Sequence, residues 1–177
     1  MAATDRQSVH EEMERARLTF HRLVSEASPA DLRRATDGTR WNNEQLLFHM
    51  LFGYIVVRAL LPLVRTFGRL PDGFGRAFAR VLNAGTRPFD VVNYLGSCGG
   101  ALIFPASRMT ATLDRVVAAV HSQLDREPED ALGRRMYFPT RWDPFFRDTM
   151  SLLEVYHFAT QHFDFHARQL TLRQPRA

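Results

Sequence analysis

Hydrophobic residues recur at three- and four-residue steps along four long stretches of the chain, which is the spacing of amphipathic helices. The stretches cover about 6–26, 42–67, 105–126 and 143–172. Asn42 is the predicted N-cap of the second helix, and Asp143 followed by Pro144 is the predicted start of the fourth. The pattern therefore predicts an all-α fold, a four-helix bundle.

The segment 68–104, between the second and third helices, differs from the rest in composition. It holds seven of the ten glycines and has room for one short helix at about 74–84. A connection of this length can cross a bundle from end to end, so the third helix need not run antiparallel to the second. We predict a single domain, residues 1–177, in which two helical hairpins are joined by this crossover. The crossover can also form a lid or a pocket wall.

The connectors that precede the second and fourth helices resemble each other. The first reads "SPADLRRATDGTRWN" and the second reads "EPEDALGRRMYFPTRWD". Each has a Pro-x-Asp turn, then Thr-Arg-Trp, then a capping Asn or Asp. This similarity indicates a weak internal duplication, with chance matching as the alternative.

Composition excludes several kinds of protein. Hydrophobic residues make up 45% of the chain, which is enough to bury a core and argues against disorder. Cys98 is the only cysteine, so an intramolecular disulfide and a cysteine-rich zinc site are excluded, and we expect a loop or packing role for it. Every basic residue counted is arginine. Without lysine, neither a Schiff base nor a P-loop lysine can form.

The charge and the hydropathy of the chain argue against nucleic-acid and membrane partners. The net charge is +4 and the arginines are scattered, so we expect no nucleic-acid partner. The most apolar stretch, "LLFHMLFGYIVVRALLPLV", contains His49, Arg58 and Pro62, which favours a buried bundle helix over a membrane span. The N-terminal stretch has no apolar signal segment. The expected location is therefore the cytoplasm, without a membrane partner.

Three of the seven histidines lie within ten residues of the predicted fourth helix: His157, His162 and His166. With 100° of rotation per residue, His162 and His166 lie about 140° and 180° from His157. They are neighbours on the apolar side of the helix, whereas His157 lies among polar residues and is expected at the surface. Two buried imidazoles are costly unless their nitrogens are used.

The same angular test places His49 on the apolar side of the second helix. The i,i+4 spacing of His162 and His166 lets both reach one divalent ion, and His49 is the natural third ligand. Three imidazoles suit several transition metals; we favour Zn or Ni and keep Fe as an alternative. Gln45 and Tyr156 are the predicted side-chain partners of these histidines. In the alternative without metal, they hydrogen-bond a buried histidine pair.

Two short motifs resemble those of the DinB/YfiT-like superfamily. "RWNNEQLLFHML" is similar to the start of that family's second helix, and "HFDFHARQL" is similar to its closing H-x-x-x-H-x-x-Q-L motif. The resemblance implies a four-helix bundle that holds a divalent metal through three histidines, here His49, His162 and His166. It implies for Gln169 a role in supporting the ligands. Family members with assigned chemistry include bacillithiol and mycothiol S-transferases.

A site of this kind leaves positions open for water or substrate, and neutral ligands leave a strongly Lewis-acidic ion. We expect a metal-dependent transferase that activates a low-molecular-weight thiol against a small-molecule substrate. Arg40, Arg87 or Arg141 could hold a carboxylate of the thiol, with solvated surface charge as the alternative. Tyr94 and Tyr156 are candidate proton donors, and no catalytic residue is assigned.

Two alternatives from other classes stay open. A metal-assisted hydrolase or cyclase would use the same ion with water or substrate in place of a thiol. A metal-binding stress protein would hold the ion without turnover. Family analogy allows a homodimer.

Overall fold

A computed structural model of the protein describes residues 2–172, with side chains from residue 5 onward. Its elements, in chain order, are α1 (Ala2–Glu26), α2 (Pro29–Leu32), α3 (Asn43–Phe67), α4 (Asp72–Ala84), α5 (Thr86–Ile103), α6 (Ala106–Asp125), α7 (Glu129–Leu132), β1 (Arg135–Tyr137), β2 (Thr149–Ser151) and α8 (Leu152–Ala167). The long helices α1, α3, α6 and α8 form the bundle. The predicted all-α class is confirmed.

The core lies between these four helices, along the stripes that the hydrophobic pattern indicated. Val9, Met13, Ala16 and Phe20 of α1 are fully buried. The main contacts of α1 are with α6 and α8, and α3 packs against α8, α6 and α5. Helices that are consecutive in the predicted hairpins thus lie at opposite corners of the bundle. The reason is the connectors 27–42 and 126–151, which are too long for tight turns and carry α2, α7 and the strands.

The start of the fourth long helix differs from the prediction. Asp143 does not cap it: its Oδ1 accepts a hydrogen bond from the Phe145 N–H at 2.8 Å, which is a local turn. The chain then forms β2, which pairs antiparallel with β1, and α8 begins only after Ser151. Ser151 and Glu154 form a reciprocal capping box, a stronger start signal than a lone Asp before proline. The helix also ends earlier than predicted, at Ala167.

Two short helices start the two similar connectors, at Pro29 and just after Pro128. Beyond them the connectors diverge. The first reaches Asn42, whose side chain accepts from the Gln45 N–H and caps α3 as predicted. The second forms the β1–β2 pair instead.

α3 is long and apolar enough to cross a membrane by length and composition alone. In the structure, 56% of its most apolar window is buried inside the protein. It contacts α5, α6 and α8, which is the environment expected for the central helix of a bundle.

The crossover contains α4, which matches the predicted short helix, and also α5, which was not predicted. α5 lies against α3, and Gly100 makes the closest approach. A Cβ at Gly100 would lie 2.0 Å from Cε1 of Phe48. Only glycine lets the two helices pack at this distance.

We expect Gly100→Ala to lower the free energy of unfolding by about 1–3 kcal/mol, because the Phe48 ring is itself packed against Phe52 and Phe104 and has to move. Urea denaturation followed by circular dichroism measures the change. Gly99→Ala is the matched control, since nothing lies within 4 Å of its Cβ position. It should be neutral or stabilising by up to about 1 kcal/mol through helix propensity. Equal effects of the two substitutions would contradict the packing account.

Candidate metal centre

Three histidines from α3 and α8 converge inside the bundle. One ring nitrogen each of His49, His162 and His166 can be chosen so that all three lie within 4.8 Å of one another. The ring centres are 4.5–4.9 Å apart. The three residues are only 5%, 6% and 9% exposed. We call this set the histidine triad.

Hydrogen bonds fix the tautomer of His49. The Ser97 hydroxyl donates to the carbonyl oxygen of Asn93 at 2.9 Å, so its oxygen is left to accept from His49 Nδ1–H at 3.1 Å. The Nε2 of His49 therefore carries a free lone pair. Trp41 stacks on the other side of the ring, with centroids 4.5 Å apart, and holds its plane. Ser97 comes from α5, so the crossover orients a triad residue.

His166 is oriented in the same way by Gln169. The Gln169 Oε1 lies 2.6 Å from His166 Nδ1 and can only accept, so Nδ1 donates and Nε2 is free. Gln169 is held in turn by the Asp37 N–H, which donates to the Gln169 carbonyl at 2.8 Å. The turn carrying Asp37 includes Gly38 at φ +70°, a left-handed conformation that favours glycine. Gln169 thus supports a ligand from outside, the arrangement common around metal-binding histidines.

His162 is packed against the backbone of α3. A Cβ at Gly53 would lie 2.7 Å from His162 Nδ1, so glycine is what leaves space for the ring. The Nδ1 atom is buried and has no hydrogen-bond partner. The Nε2 atom is 3.8 Å from Oδ2 of Asp143. A ring this deeply buried with an unsatisfied nitrogen is costly in a protein without a ligand.

Burial lowers the pKa of each triad imidazole. The pKa of His49 falls to about 3, first through desolvation and then through the neighbouring His166. Desolvation also lowers the pKa of His162 well below its usual value, and the nearby imidazoles of His49 and His166 lower it further because two protonated rings would repel each other. Desolvation lowers the pKa of His166 as well. The hydrogen bond to Gln169 acts in the opposite direction, but the net effect is a lower pKa. The triad is therefore neutral at neutral pH, with lone pairs available to a metal.

The triad fits a divalent transition metal. An imidazole nitrogen binds zinc at about 2.0–2.1 Å, which puts the ring centre about 3.2 Å from the ion. Two rings at an angle between 90° and the tetrahedral angle around one ion are then about 4.5–5.2 Å apart, and the observed separations lie in this range. The free Nε2 atoms of His49 and His166 and the unsatisfied His162 ring agree with this geometry.

Asp143 is the functional candidate that sequence reasoning assigned wrongly, as a helix cap. Its side chain is 14% exposed and faces the same space as His162. Burial raises the pKa of the Asp143 carboxyl to about 6, although the hydrogen bond from the Phe145 N–H acts in the opposite direction and lowers the pKa. A better signal in the sequence was the Ser151–Glu154 capping box, which leaves Asp143 in a loop.

Gln45 and Tyr156 do not support the triad, contrary to expectation. The Gln45 Oε1 accepts from the Asn42 N–H within the α3 capping box. The Tyr156 hydroxyl donates to Glu127 at 3.2 Å, in a separate buried cluster with Arg65. Tyr156 is therefore remote from the site as a proton donor as well.

His157 points away from the triad, as its angular position indicated. Its Nδ1 pairs with Glu12 of α1 at 2.9 Å, and its side chain is 24% exposed. It is a partly buried hydrogen-bond partner of Glu12 at the α1–α8 interface.

A cavity of about 400 Å³ opens from the triad between α3, α4, α5, α8 and the loop before β2. The crossover supplies one wall through Phe78, Leu82, Phe89 and Asn93, which is the pocket-wall role considered for it. The lining residues are Trp41, His49, Phe52, Gly53, Val56, Leu60, Leu63, Phe78, Leu82, Phe89, Asn93, Met136, Phe138, Pro139, Trp142, Asp143, Pro144, Phe146, Phe158, His162, Phe165 and His166.

The arginines considered as carboxylate clamps do not line this cavity. The Arg40 guanidinium lies over the Tyr94 ring, 4.4 Å from its centroid, in a separate shallow depression. Arg87 and Arg141 are exposed. Tyr94 stacks on the far side of Trp41, and Cys98 lies on α5 outside the cavity lining.

Comparison with known families and proteins gives one match. The family described as the DinB superfamily matches residues 12–170, nearly the whole chain. No curated protein and no solved structure matches at a significant level.

Proposed function

The chain belongs to the DinB superfamily, and on that premise we propose that it is a metal-dependent enzyme whose histidine triad holds a divalent ion. The observation that carries the proposal is the convergence of three buried, neutral imidazoles from two helices on one point. Zn or Ni suits this ligand set, with Fe as the alternative.

The chemistry follows from the charge that neutral ligands leave on the ion. When bound, such an ion is a Lewis acid that lowers the pKa of a thiol or water beside it. The protein's own side chains orient the ligands and accept the proton. Ser97 and Gln169 orient two of the ligand rings, and aromatic side chains line the space in front of the triad. Asp143 is placed to accept the proton that the nucleophile loses, since it faces the same space as His162.

The first candidate reaction is transfer of a small thiol of the mycothiol or bacillithiol type to an electrophile. Its support is the family membership and the Lewis-acid character that an ion held by the triad would have. The second candidate is metal-assisted hydrolysis or cyclisation. It is favoured by Asp143 beside the triad and by a described cavity lining without a basic side chain that could hold a carboxylate of the thiol. A metal-binding protein without turnover is the third outcome.

Elemental analysis of the purified protein tests the site, and we expect about one equivalent of a transition metal per chain. A paired assay then separates the reactions. One arm offers monochlorobimane with and without mycothiol, bacillithiol or cysteine. The other offers a p-nitrophenyl ester without thiol. Thiol-dependent conjugation lost on chelation supports the transferase, and chelator-sensitive ester hydrolysis supports the hydrolase. Protein that takes up no metal during reconstitution would rule out both.

Gly53→Ala should weaken metal binding while leaving the fold intact. The new Cβ would press on His162 Nδ1 and tilt the ring away from its partners. A displaced ligand costs at least as much as a lost supporting contact, about 10–100-fold in metal affinity. Competition with a chromogenic chelator measures the change. Gly96→Ala on α5 is the control, because nothing lies within 4 Å of its Cβ position. Unchanged affinity in Gly53→Ala would show that His162 is not held by this contact.

A further inference from the structure

The cavity beside the triad is lined mainly by aromatic rings. Nine of its described lining residues are Phe or Trp. They come from every element around the cavity, so no wall of it is polar throughout. Its volume of about 400 Å³ is near the lower end of the range of ~300–1,000 Å³ typical for pockets that enclose small organic ligands.

The charged and polar groups of the lining are concentrated at one end. Asp143 lies beside the triad, and no arginine is among the lining residues that the structure describes. An anionic ligand would leave its charge unpaired in the apolar part of the cavity, which is costly. A cationic ligand would likewise find no partner in that part of the cavity, because Asp143, the one acidic side chain among the described lining residues, lies at the triad end. Both arguments favour a ligand without net charge.

Stacked rings present flat faces at two places in the wall, whereas Phe138, Phe146 and Phe158 meet one another at interplanar angles of 40–60°. Phe89 and Trp142 stack with centroids 4.0 Å apart and an interplanar angle of 7°. Trp142 is anchored by its Nε1–H, which donates to the carbonyl oxygen of Leu82 at 2.9 Å. At the other end Trp41 stacks on His49 with an interplanar angle of 29°. Rigid aromatic faces suit a planar, apolar ligand, because stacking adds to burial.

We infer that this cavity binds an uncharged, planar, largely aromatic organic molecule, and that this molecule is the substrate presented to the triad. Its role as substrate rests on the proposed function, whereas its binding does not. The inference differs from the expectation of a large polar thiol in the same space. A thiol co-substrate would have to reach the triad with most of its polar part outside the aromatic walls.

Intrinsic tryptophan fluorescence can report binding in the cavity, because the only two tryptophans of the sequence, Trp41 and Trp142, both line it. The probe is N-phenyl-1-naphthylamine, an uncharged aromatic dye that accepts energy from tryptophan. The matched anion is 1-anilinonaphthalene-8-sulfonate, which has the same ring system with a sulfonate. We expect saturable quenching of both tryptophans by the uncharged dye, and an affinity for it at least tenfold higher than for the anion.

Val56→Phe fills the cavity, and Val81→Phe is the control because Val81 is 70% exposed on α4 and outside the lining. We expect at least a tenfold loss of dye affinity in the first and none in the second. Leu60→Phe replaces Val56→Phe if that variant fails to fold. Equal binding of the two dyes, or unchanged binding in the filled variants, would overturn the inference.

Metal content measured on the same samples keeps the two proposals apart. Loss of selective dye binding with one equivalent of metal retained rejects the ligand class and leaves the metal site standing. Selective dye binding in a protein that takes up no metal rejects the proposed function and leaves the cavity assignment standing.

Discussion

Substitution of His49 by alanine will leave the purified protein without stoichiometric metal, and His162→Ala will do the same. The two residues belong to different helices, α3 and α8, yet their ring centres are 4.9 Å apart. Two imidazoles are a poor site for a divalent ion compared with three, because each ligand also orders the others. We expect the metal affinity to fall at least a hundredfold, as measured by elemental analysis after dialysis against a weak chelator.

His157→Ala is the matched control for this experiment. It removes an imidazole from the same helix as His162 but breaks only a hydrogen bond with Glu12, on the side of the helix away from the triad. Its metal content should equal that of the unchanged protein, even if its stability falls by up to about 1 kcal/mol. Circular dichroism on all variants separates a lost ligand from a lost fold. Retention of one equivalent in folded His49→Ala and His162→Ala would disprove the triad as a metal site.

The metal-free protein should lose stability steeply as the pH falls below about 6.5. In the unfolded chain each triad histidine takes up a proton near this pH, whereas in the folded protein burial holds its pKa lower, to about 3 for His49. The unfolded state then binds more protons, so the free energy of unfolding decreases with falling pH. The stabilising contribution is complete above pH 6.5. It is lost between there and the folded-state pKa values.

Each triad histidine contributes up to about 1.4 kcal/mol per pH unit to the slope, where the unfolded chain has bound the proton and the folded protein has not. The three act in the same direction, whereas Asp143, whose pKa burial raises to about 6, takes up a proton in the folded protein over this range and reduces the slope. Urea unfolding of chelator-treated protein at pH 7.5, 6.5 and 5.5 measures it. His49→Gln removes one titrating imidazole and provides the comparison. We expect its slope to be smaller by the contribution of one proton, about 1.4 kcal/mol per pH unit. A free energy of unfolding that is flat from pH 7.5 to 5.5 would contradict the burial of neutral imidazoles.

The part of the site that the sequence predicts is the part set by helical periodicity. His162 and His166 lie one turn apart on a helix whose existence was clear, so their direction followed from 100° steps, and His49 followed in the same way. Gln169 was indicated by the closing motif. The capping box at Asn42 and Gln45 also fixed the start of α3 correctly, which kept the angular test for His49 in register.

What the sequence did not predict depends on contacts between distant segments. Asp143 followed by Pro144 is a common helix start and predicts a cap, but pairing of β1 with β2 holds this segment in a loop. α5 was missed because Gly96, Gly99 and Gly100 lower helix propensity, while its packing on α3 compensates. Tyr156 lies near the triad histidines in sequence, yet its ring is turned toward Glu127. Local sequence patterns do not specify such contacts between distant segments.

The positions of the triad residues in the chain have a consequence for the cell. The donors on α3 and α8 are separated by more than a hundred residues, so an unfolded chain offers no comparable chelate. If the triad holds an ion as proposed, the ion binds only the folded protein. Occupancy and folding are then thermodynamically linked: above the dissociation constant, each tenfold rise in free ion adds about 1.4 kcal/mol to stability. A shortage of free ion would therefore lower the stability of the protein and increase its degradation by proteases. The metal-bound molecules that remain would be unchanged.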